Sequence, residues 1–374
     1  LLNDHYTAHE LKYYLSDAHA KMAIIPKSKY NDLSKICSQS MHLVTADTMQ
    51  SHRRKHGCLK NLEELNGDHL AVLAYTSGTT GRPKGARIRH KDIMGTLQAL
   101  HHAWEWSKDD RLVHTLPLFH IHGLFVAGLG SFWAGAQILL LPHFDALTAM
   151  KAVERFKATV LMAVPTHHHR YLQLSSEDRP KVNSLRLVTS GSAPLSADKF
   201  NAFRSAFGIE IVERYGMTEV GIVLSAKLRG LKLPGSVGYP LPNVSAKIFN
   251  AQDQEVKQGE TGELHISSSS LFDGYHQRPE ATKNSVYLDL KGQRWMRTGD
   301  LCFQDKEGMY WLKGRTSELI ISGGLNVYPK EVELVIVEVA KTWIDEVVVV
   351  GLADPEWGER VEAFLTTPNQ TQPS

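Results

Sequence analysis

The sequence is poor in the features that mark disulfide-stapled, metal-binding and membrane-spanning chains. It has 3 cysteines in 374 residues, Cys37, Cys58 and Cys302, and their spacing fits neither a zinc motif nor a paired disulfide framework. No apolar run approaches the roughly 20 residues that a membrane-spanning helix requires. The 42 basic and 40 acidic side chains nearly cancel, so no surface-wide field favours nucleic acid or an anionic membrane. We therefore expect a reducing compartment and local recognition of a small molecule.

The beginning of the chain lacks an initiator methionine and the basic, apolar and small-residue order of a signal peptide. It runs "LLNDHYTAHELKYYLSDAHAKMAIIP", a pattern typical of the middle of a domain, so we expect a fragment. Cytoplasmic placement is the default, and mitochondrial or peroxisomal placement stays open. The sequence indicates no particular oligomeric state.

What the sequence does contain, between residue 70 and about residue 215, is an alternation of short apolar runs and helical patterns. This alternation predicts an α/β fold of parallel strands joined by crossover helices. The strand runs are "AVLAYT" (71–76), "RLVHTL" (111–116), "AQILLLP" (136–142), "TVLMAVP" (159–165), "LRLVTS" (185–190) and "IEIVERY" (209–215). The helical segments include "DALTAMKAVERFK" and "SADKFNAFRSAF". Most of the strands end in Gly-, Pro- or Ser-rich stretches, and open α/β sheets bind ligands at those carboxyl ends.

Beyond residue 225 the pattern changes to short strands with Gly and Pro turns, as in "PGSVGYPLPNVSAKIF", "TGELHIS" and "GMYWLKGR". We therefore predict a large α/β domain (1–224), a β-rich subdomain of it (225–314) and the start of a small α+β lid domain (315–374). In the lid, Pro329 should stand in the first turn of a helix, where its missing N–H costs nothing.

A phosphate-binding loop is predicted at residues 76–85, Thr-Ser-Gly-Thr-Thr-Gly-Arg-Pro-Lys-Gly. Small residues let backbone N–H groups converge on an anion, while the hydroxyls and Lys84 add donors and charge. The Walker pattern would need a glycine at position 83 and a hydroxyl residue at position 85, where the sequence has Pro83 and Gly85. A magnesium ligand must therefore come from elsewhere in the chain.

The loop "YTSGTTGRPKG" resembles the phosphate-loop signature of the adenylate-forming enzymes, the superfamily of acyl-CoA synthetases, luciferases and peptide-synthetase adenylation domains. It is followed, in the order of that superfamily, by "SGSAPLS" (190–196), "ERYGMTE" (213–219), "RTGD" (297–300), "GR" (314–315) and "SGGLNVYPKEVE" (322–333). The combination is similar to that of the malonyl-CoA synthetases. This resemblance implies the adenylate-forming fold and an AMP-forming acid–CoA ligase that uses ATP, Mg²⁺ and CoA.

The resemblance also implies which residues bind the nucleotide. The loop residues would hold the β- and γ-phosphates: Thr76, Ser77, Gly78, Thr79, Thr80, Gly81 and Lys84. The adenine would lie over the turn Gly191, Ser192, Ala193 and stack on Tyr215, beside Gly216 and Met217. Thr218 would contact the α-phosphate, Glu219 would bind Mg²⁺, and Asp300 would accept hydrogen bonds from both ribose hydroxyls. Arg315 would neutralise phosphate, so Lys84, Thr218, Glu219 and Arg315 are the catalytic candidates.

Three side chains are candidates for the acid substrate. His122, in "PLFHIHGLF" before a predicted helix, would line the acyl pocket by resemblance. Arg214 would be costly in an otherwise apolar pocket unless an anion meets it, which favours an acid with a second carboxylate, malonate first of all. Arg170 is a second candidate for that carboxylate and Arg186 a weaker third. The run His167–His169 is expected to be partly exposed and not to bind metal, because consecutive residues do not share a face.

Other interpretations stay open. Taken singly, Tyr215, Glu219 and Asp300 are more readily ordinary core, helix and turn residues, and only their joint occurrence in order favours the ligand roles. The run "VGIVLSAKL" after the tyrosine motif could narrow or lengthen the pocket, so methylmalonate or a short monocarboxylic acid stays open. A ligase for a longer or neutral acid, a carrier-loading adenylation domain and a non-catalytic nucleotide-binding fragment also fit. The superfamily carries a catalytic lysine in a Gly-Lys context that this chain does not reach before Ser374. We therefore expect the 374 residues alone to bind ATP or AMP weakly and to catalyse poorly.

Overall fold

The computed structural model describes residues 1–3, 5–37, 41–56, 64–76, 82–340 and 343–367. The α-helices are Ala8–Asp17 (α1), Tyr30–Ile36 (α2), Ala46–His56 (α3), His90–Ala103 (α4), Gly130–Ala134 (α5), Ala146–Phe156 (α6), Pro165–Leu172 (α7), Ala197–Phe207 (α8), Pro279–Ser285 (α9) and Pro329–Val339 (α10). Short 3₁₀ turns lie at Lys27–Lys29 and Thr316–Glu318, and a π-helical segment at His122–Leu129.

The strands before residue 226 are Met22–Ile25 (β1), His42–Thr45 (β2), Leu70–Thr76 (β3), Lys84–Arg89 (β4), Arg111–His114 (β5), Gln137–Leu140 (β6), Val160–Ala163 (β7), Leu187–Ser190 (β8), Ile211–Met217 (β9) and Gly221–Ser225 (β10). The later strands are Ser236–Pro240 (β11), Val244–Phe249 (β12), Gly262–Ser268 (β13), Gly274–Tyr275 (β14), Val286–Leu288 (β15), Arg294–Gln304 (β16), Tyr310–Arg315 (β17), Ile320–Ser322 (β18), Leu325–Val327 (β19), Glu346–Asp354 (β20) and Gly358–Thr366 (β21).

A 12-stranded sheet forms the body of the molecule, in the order β12-β13-β16-β17-β11-β10-β9-β8-β7-β5-β6, with β15 paired to β16. From β6 to β9 the strands are parallel, as predicted, whereas β10 and the strands beyond it pair antiparallel. The carboxyl ends of β7, β8 and β9 therefore open at one edge, beside the point where the sheet changes direction.

The prediction that β3 belongs to the parallel series is wrong. It pairs antiparallel with β4, which also pairs with β14, in a separate three-stranded sheet. The reason is the connection: the seven residues 77–83 are too few for the crossover of a dozen or more residues that a parallel pair requires. Thr76 and Lys84 consequently stand directly opposite each other, where the hairpin closes.

The predicted crossover helices α6 and α8 are confirmed. Asp145 caps α6 by accepting a hydrogen bond from the Thr148 backbone N–H at 2.8 Å, and Ser196 caps α8 through the Lys199 N–H at 3.4 Å. Their apolar faces pack on the parallel strands in one buried cluster, which includes Ala149, Met150, Val153, Phe200 and Phe203. Burial of this face holds the strand ends in place.

The three consecutive histidines of α7 are less exposed than predicted. His168 is fully buried, and its Nε2 lies 3.2 Å from the Thr189 carbonyl oxygen. His167 is also buried and stacks on Phe144, with ring centroids 3.6 Å apart. Only His169 is exposed. Burial lowers the pKa of both His167 and His168 to about 4, so these two rings are neutral at physiological pH.

The small C-terminal unit is a four-stranded sheet, β19-β18-β21-β20, with α10 packed on β20. Pro329 occupies the first turn of α10, as predicted. An ion pair between Lys313 of β17 and Glu331 of α10 connects this unit to the large sheet. The domain boundaries stay a prediction. Among the helices of the described residues, none is both long and apolar enough to cross a membrane.

Arg186, the weakest candidate for substrate binding, is already committed to the fold. Its Nε and Nη2 donate to the two carboxylate oxygens of Asp110, at 2.8 Å and 2.5 Å, and its Nη1 donates to the Trp104 carbonyl oxygen. Asp110 is 2% exposed and also accepts from the Thr159 hydroxyl at 2.6 Å. This bidentate pair ties the start of β8 to the loop before β5, and all three guanidinium nitrogens of Arg186 already donate within the fold.

Replacing Asp110 by Asn should lower the free energy of unfolding by about 2 kcal/mol, because the variant loses the charge opposite Arg186 and one of its paired acceptors. Urea denaturation followed by circular dichroism measures the change. Asp109→Asn removes the neighbouring, exposed carboxylate and should change stability by less than about 0.5 kcal/mol. Equal stability of the two variants would contradict the role given to the pair.

Candidate active site

Asp300 stands at the centre of a buried polar cluster between β9, β16 and β17. The Tyr215 hydroxyl donates to its Oδ2 at 2.5 Å, and the Arg315 Nε lies 2.9 Å from its Oδ1. Asp300 and Arg315 are direct cross-strand partners, which is why the pair forms. Burial raises the pKa of Asp300 above its ordinary value, and the charge of Arg315 offsets part of that rise. Three predicted nucleotide ligands are thus brought together.

The backbone before Asp300 is held by a residue that the sequence interpretation missed. Gly299 has a φ of +71° and donates its N–H to Glu263 Oε1 at 3.0 Å. The Asp300 N–H donates to the Thr298 hydroxyl at 3.1 Å. Glu263 therefore fixes the bend that presents the Asp300 carboxylate. Its only signal in the sequence is a charged residue within the apolar run "TGELHIS".

Glu219 lies in a second part of the same cluster. It is 4% exposed, and its Oε1 accepts a hydrogen bond from the Tyr275 hydroxyl at 2.7 Å. The Lys84 Nζ lies 4.6 Å from the centre of the Tyr275 ring, a cation–π contact. Burial raises the pKa of Glu219, while the hydrogen bond from Tyr275 and the charge of Lys84 lower it in part. Tyr275, which joins the predicted cation to the predicted metal ligand, was also missed.

The phosphate loop is described only at its flanks. The Thr76 hydroxyl donates to the Lys84 carbonyl oxygen at 3.4 Å, which closes the hairpin. The predicted ligands Ser77, Gly78, Thr79, Thr80 and Gly81 lie outside the described residues.

The end of β9 carries the remaining nucleotide candidates. A Cβ on Gly216 would lie 2.1 Å from the Gly221 carbonyl oxygen, so the tight β9–β10 pairing requires glycine there. The Met217 sulfur lies 3.9 Å from the Tyr215 hydroxyl. Thr218 is half-buried beside Glu219. These residues place Tyr215 and Glu219 on one continuous turn of backbone.

Across β8 and β9 lies a buried cation, Arg214. It is 5% exposed, and burial lowers its pKa to about 10. In the part of the chain that the structure describes, no carboxylate pairs with it; its Nη2 is 3.4 Å from the Ser192 hydroxyl, and its Nε has no hydrogen-bond partner. A Cβ on Gly191 would lie 2.5 Å from the Arg214 guanidinium carbon, so this glycine makes room for the arginine. Arg214 is therefore a desolvated positive charge that no carboxylate of the described residues neutralises.

The turn after β8 lies between Arg214 and His122. Ser192 adopts a φ of +69°, an uncommon conformation for a residue with a side chain, and Ser192 and Ala193 are exposed. The Ser192 hydroxyl lies 3.5 Å from His122 Nδ1. His122 Nε2 is buried without a partner among the described residues. Burial, followed by the charge of Arg214, lowers the pKa of His122 well below its ordinary value, so the ring is neutral.

His122 is inside a helix, not before one as predicted. The π-helical segment His122–Leu129 begins with it. A Cβ on Gly123 would lie 2.1 Å from the Pro117 carbonyl oxygen, so only glycine fits at the second position. His114 Nε2 lies 2.9 Å from the Gly123 carbonyl oxygen. Widened turns of this kind occur frequently at functional sites, and here one carries His122 to the edge of the β8 turn.

Arg170, the second candidate for the substrate carboxylate, is exposed on α7. Its guanidinium carbon lies 5.8 Å from the centre of the Phe144 ring. Such a group is hydrated, so it lacks the desolvation that makes Arg214 demand an anion.

Comparison with known proteins identifies the family of the chain. The family described as AMP-binding enzyme matches residues 1–276. The mitochondrial malonate–CoA ligase of Mus musculus is 34% identical over 393 residues, which cover 95% of this chain and 66% of that protein. The chain belongs to the AMP-binding enzyme family.

Solved structures of the family agree. The ATP-bound MatB structure from Rhodopseudomonas palustris is 34% identical, with a TM-score of 0.90, and the match covers 100% of this chain and 74% of that one. A malonyl-CoA ligase in a ternary product complex with methylmalonyl-CoA and AMP is 32% identical, with a TM-score of 0.74, and the match covers 100% and 78%. The resemblance to the adenylate-forming enzymes and the predicted fold class are thereby confirmed. The chain spans just under two thirds of the length of the mouse protein.

For a member of the AMP-binding enzyme family, the donors present fit a magnesium ion that arrives with its nucleotide. In the described ranges, no group of three or more His, Cys, Asp or Glu side chains could enclose a metal. Mg²⁺ commonly takes one or two carboxylates and completes its shell with phosphate oxygens and water. Glu219, a buried carboxylate near the positive Lys84, could supply that single protein ligand.

Replacing Tyr275 by Phe should move the loss of Mg²⁺–ATP binding on acidification to a higher pH. With Glu219 as the metal ligand, as the sequence predicts, binding would require its ionised carboxylate, whose pKa should rise further when the hydrogen bond that lowers it is removed. Nucleotide binding measured by calorimetry across a pH series tests this. Tyr310→Phe is the control, because that hydroxyl donates to the Ala246 carbonyl oxygen instead. A Tyr275→Phe profile that superimposes on the unmodified one would contradict the assignment.

Proposed function

We propose that the protein is an AMP-forming acid–CoA ligase whose acid is malonate. In this reaction a carboxylate oxygen attacks the α-phosphorus of ATP, and pyrophosphate leaves. The CoA thiolate then attacks the acyl carbon of the adenylate and AMP leaves. All the reacting groups are anionic, so the protein's contribution is chiefly positioning and neutralisation of charge. Family membership and the malonate–CoA ligase named among the relatives support this proposal.

The polar cluster supports the nucleotide half. Asp300 offers its carboxylate to the ribose hydroxyls, and Tyr215, buried with its hydroxyl on that carboxylate, offers a ring face to the adenine. Lys84 and Arg315 supply positive charge to the phosphates, with Thr218 at the α-phosphate. Bound Mg²⁺ would neutralise phosphate charge and polarise the reacting phosphorus, and Glu219 would hold it.

One observation carries the choice of acid: Arg214 is a buried cation with no anion among the described residues. Burying a charge without an opposite charge costs several kcal/mol. A substrate carboxylate that pairs with Arg214 would offset about that cost. A monocarboxylic acid uses its carboxylate at the α-phosphorus and has none left for Arg214. Malonate has a second carboxylate. The neutral His122 beside Ser192 would give that carboxylate a polar neighbour that carries no charge.

A ligase for a longer or neutral acid is the alternative, since the apolar run of β10 could line a chain-binding pocket. In the structure Ile222, Val223 and Leu224 are each at most 1% exposed and pack in the central core clusters. That packing supports a structural role for them, and so favours the short acid.

For the compartment, we infer that two locations are compatible with this chain. The mitochondrial location named for the mouse relative is compatible with this chain, as is the cytoplasmic placement expected from the sequence. Fractionation of cells that express the tagged protein separates the two.

Replacing Arg214 by Ala should reduce kcat/KM for malonate by about 100-fold, and for propionate by less than about tenfold, because only malonate loses a buried charge pair. The measurement is acid-dependent ATP–pyrophosphate exchange, with acid binding by calorimetry as a readout that does not depend on turnover. Arg170→Ala is the matched control and should affect both acids little. Equal losses for malonate and propionate would overturn the choice of acid.

A further inference from the structure

Helix α1 contacts the chain on both sides of the phosphate loop, at Tyr75 of β3 and at Pro83, the residue before β4. The Tyr13 hydroxyl donates to the Pro83 carbonyl oxygen at 2.6 Å, across 70 residues of sequence. Pro83 directly precedes Lys84, the first residue of β4. Pro83 has no backbone N–H, so its carbonyl is the only backbone hydrogen-bonding group that this residue contributes.

The end of the same helix holds the other strand. Tyr75, which precedes Thr76 in β3, donates its hydroxyl to Asp17 Oδ2 at 2.8 Å. The second oxygen of Asp17 accepts from Arg278 Nη2 at 3.0 Å, and the Asp17 side chain is only 9% exposed. Arg278 is three residues after Tyr275, whose ring makes the cation–π contact with Lys84. One carboxylate therefore ties α1 to β3 and to the segment after β14.

Packed aromatic rings hold α1 rigidly against β3. The Tyr14 ring is buried and meets the Tyr75 ring edge-on, with centroids 4.8 Å apart, and Tyr6 stacks on Tyr14 at the same distance. Thr7 caps the helix and forms a capping box with Glu10, which fixes where α1 begins. The Tyr13 hydroxyl thus has little freedom to leave the Pro83 carbonyl.

We propose that Tyr13 is a positioning residue for Lys84. By holding the Pro83 peptide, it fixes the start of β4 and so the origin from which the lysine side chain reaches a triphosphate. On the opposite strand of the hairpin, Asp17 of the same helix holds Tyr75, so α1 contacts the residue next to Thr76 as well as the residue next to Lys84. This inference rests on the proposed function, in which Lys84 binds the β- and γ-phosphates.

The role predicts a selective defect. AMP lacks the β- and γ-phosphates, so its binding depends on Tyr215 and Asp300 but not on Lys84. ATP depends on both. Losing the Tyr13 hydroxyl should therefore weaken ATP while leaving AMP unchanged, a separation that general loss of structure would not produce.

The test is calorimetric titration of Mg²⁺–ATP and of AMP into the unmodified protein, Tyr13→Phe and Tyr14→Phe. Tyr13→Phe should raise the Kd for ATP about fivefold, the effect of one ordinary hydrogen bond, and leave the Kd for AMP within about twofold. Tyr14→Phe removes a hydroxyl from the neighbouring ring of the same helix and should change neither.

The possible outcomes separate the two proposals. If the unmodified protein binds neither nucleotide, the proposed function fails. If it binds both, an unchanged ATP affinity in Tyr13→Phe overturns the inference. Parallel weakening of ATP and AMP in Tyr13→Phe, or the same ATP defect in Tyr14→Phe, overturns it too, because either result indicates a general structural effect.

Discussion

The arrangement of the candidate active site depends on the free-energy cost of burying charged side chains away from water. Buried carboxylates at Asp300 and Glu219 are each given a tyrosine hydroxyl, and Asp300 an arginine as well. Asp110 is matched to Arg186 in the same way. Against that background Arg214 stands apart, since the described residues supply a glycine-sized space and a serine hydroxyl but no anion. Among the described residues, Asp300, Glu219 and Asp110 thus each have a hydrogen-bond donor or an opposite charge, whereas Arg214 has no carboxylate partner.

The sheet explains why these groups can meet. Strands β7, β8 and β9 run parallel and deliver their carboxyl ends to one edge, while β16 and β17 enter the same sheet antiparallel and deliver Asp300 and Arg315 from the other side. Residues far apart in sequence thus converge where the pairing changes direction. The separate β3–β4–β14 sheet then brings Lys84 and Tyr275 to that junction. The strand register of two sheets, and not one loop alone, positions the site.

Periodicity and motif order predicted most of the strands, the crossover helices and the residues that gather around Asp300. They failed where a contact joins distant positions with no local pattern. Tyr275 and Glu219 are 56 residues apart, and Glu263 and Gly299 are 36 apart, so their hydrogen bonds leave no spacing to detect. Similarly, β3 has the apolar run of any strand, and only the length of its connection sets its direction. The burial of His167 and His168 depends on which face α7 turns to the sheet, which the triplet alone does not encode.

The π-helical segment that begins at His122 has an evolutionary consequence. A π-turn is an α-helix with an extra residue accommodated in it, and an α-helix turns by about 100° per residue. A deletion of one codon within residues 123–129 would therefore rewind the segment and swing its first side chain away from the β8 turn, while the core beyond it stayed in place. Relatives that differ here by a single residue in length would then differ in the position of this side chain without differing in fold, so a one-residue insertion or deletion can change the surroundings of the β8 turn without any substitution in that turn.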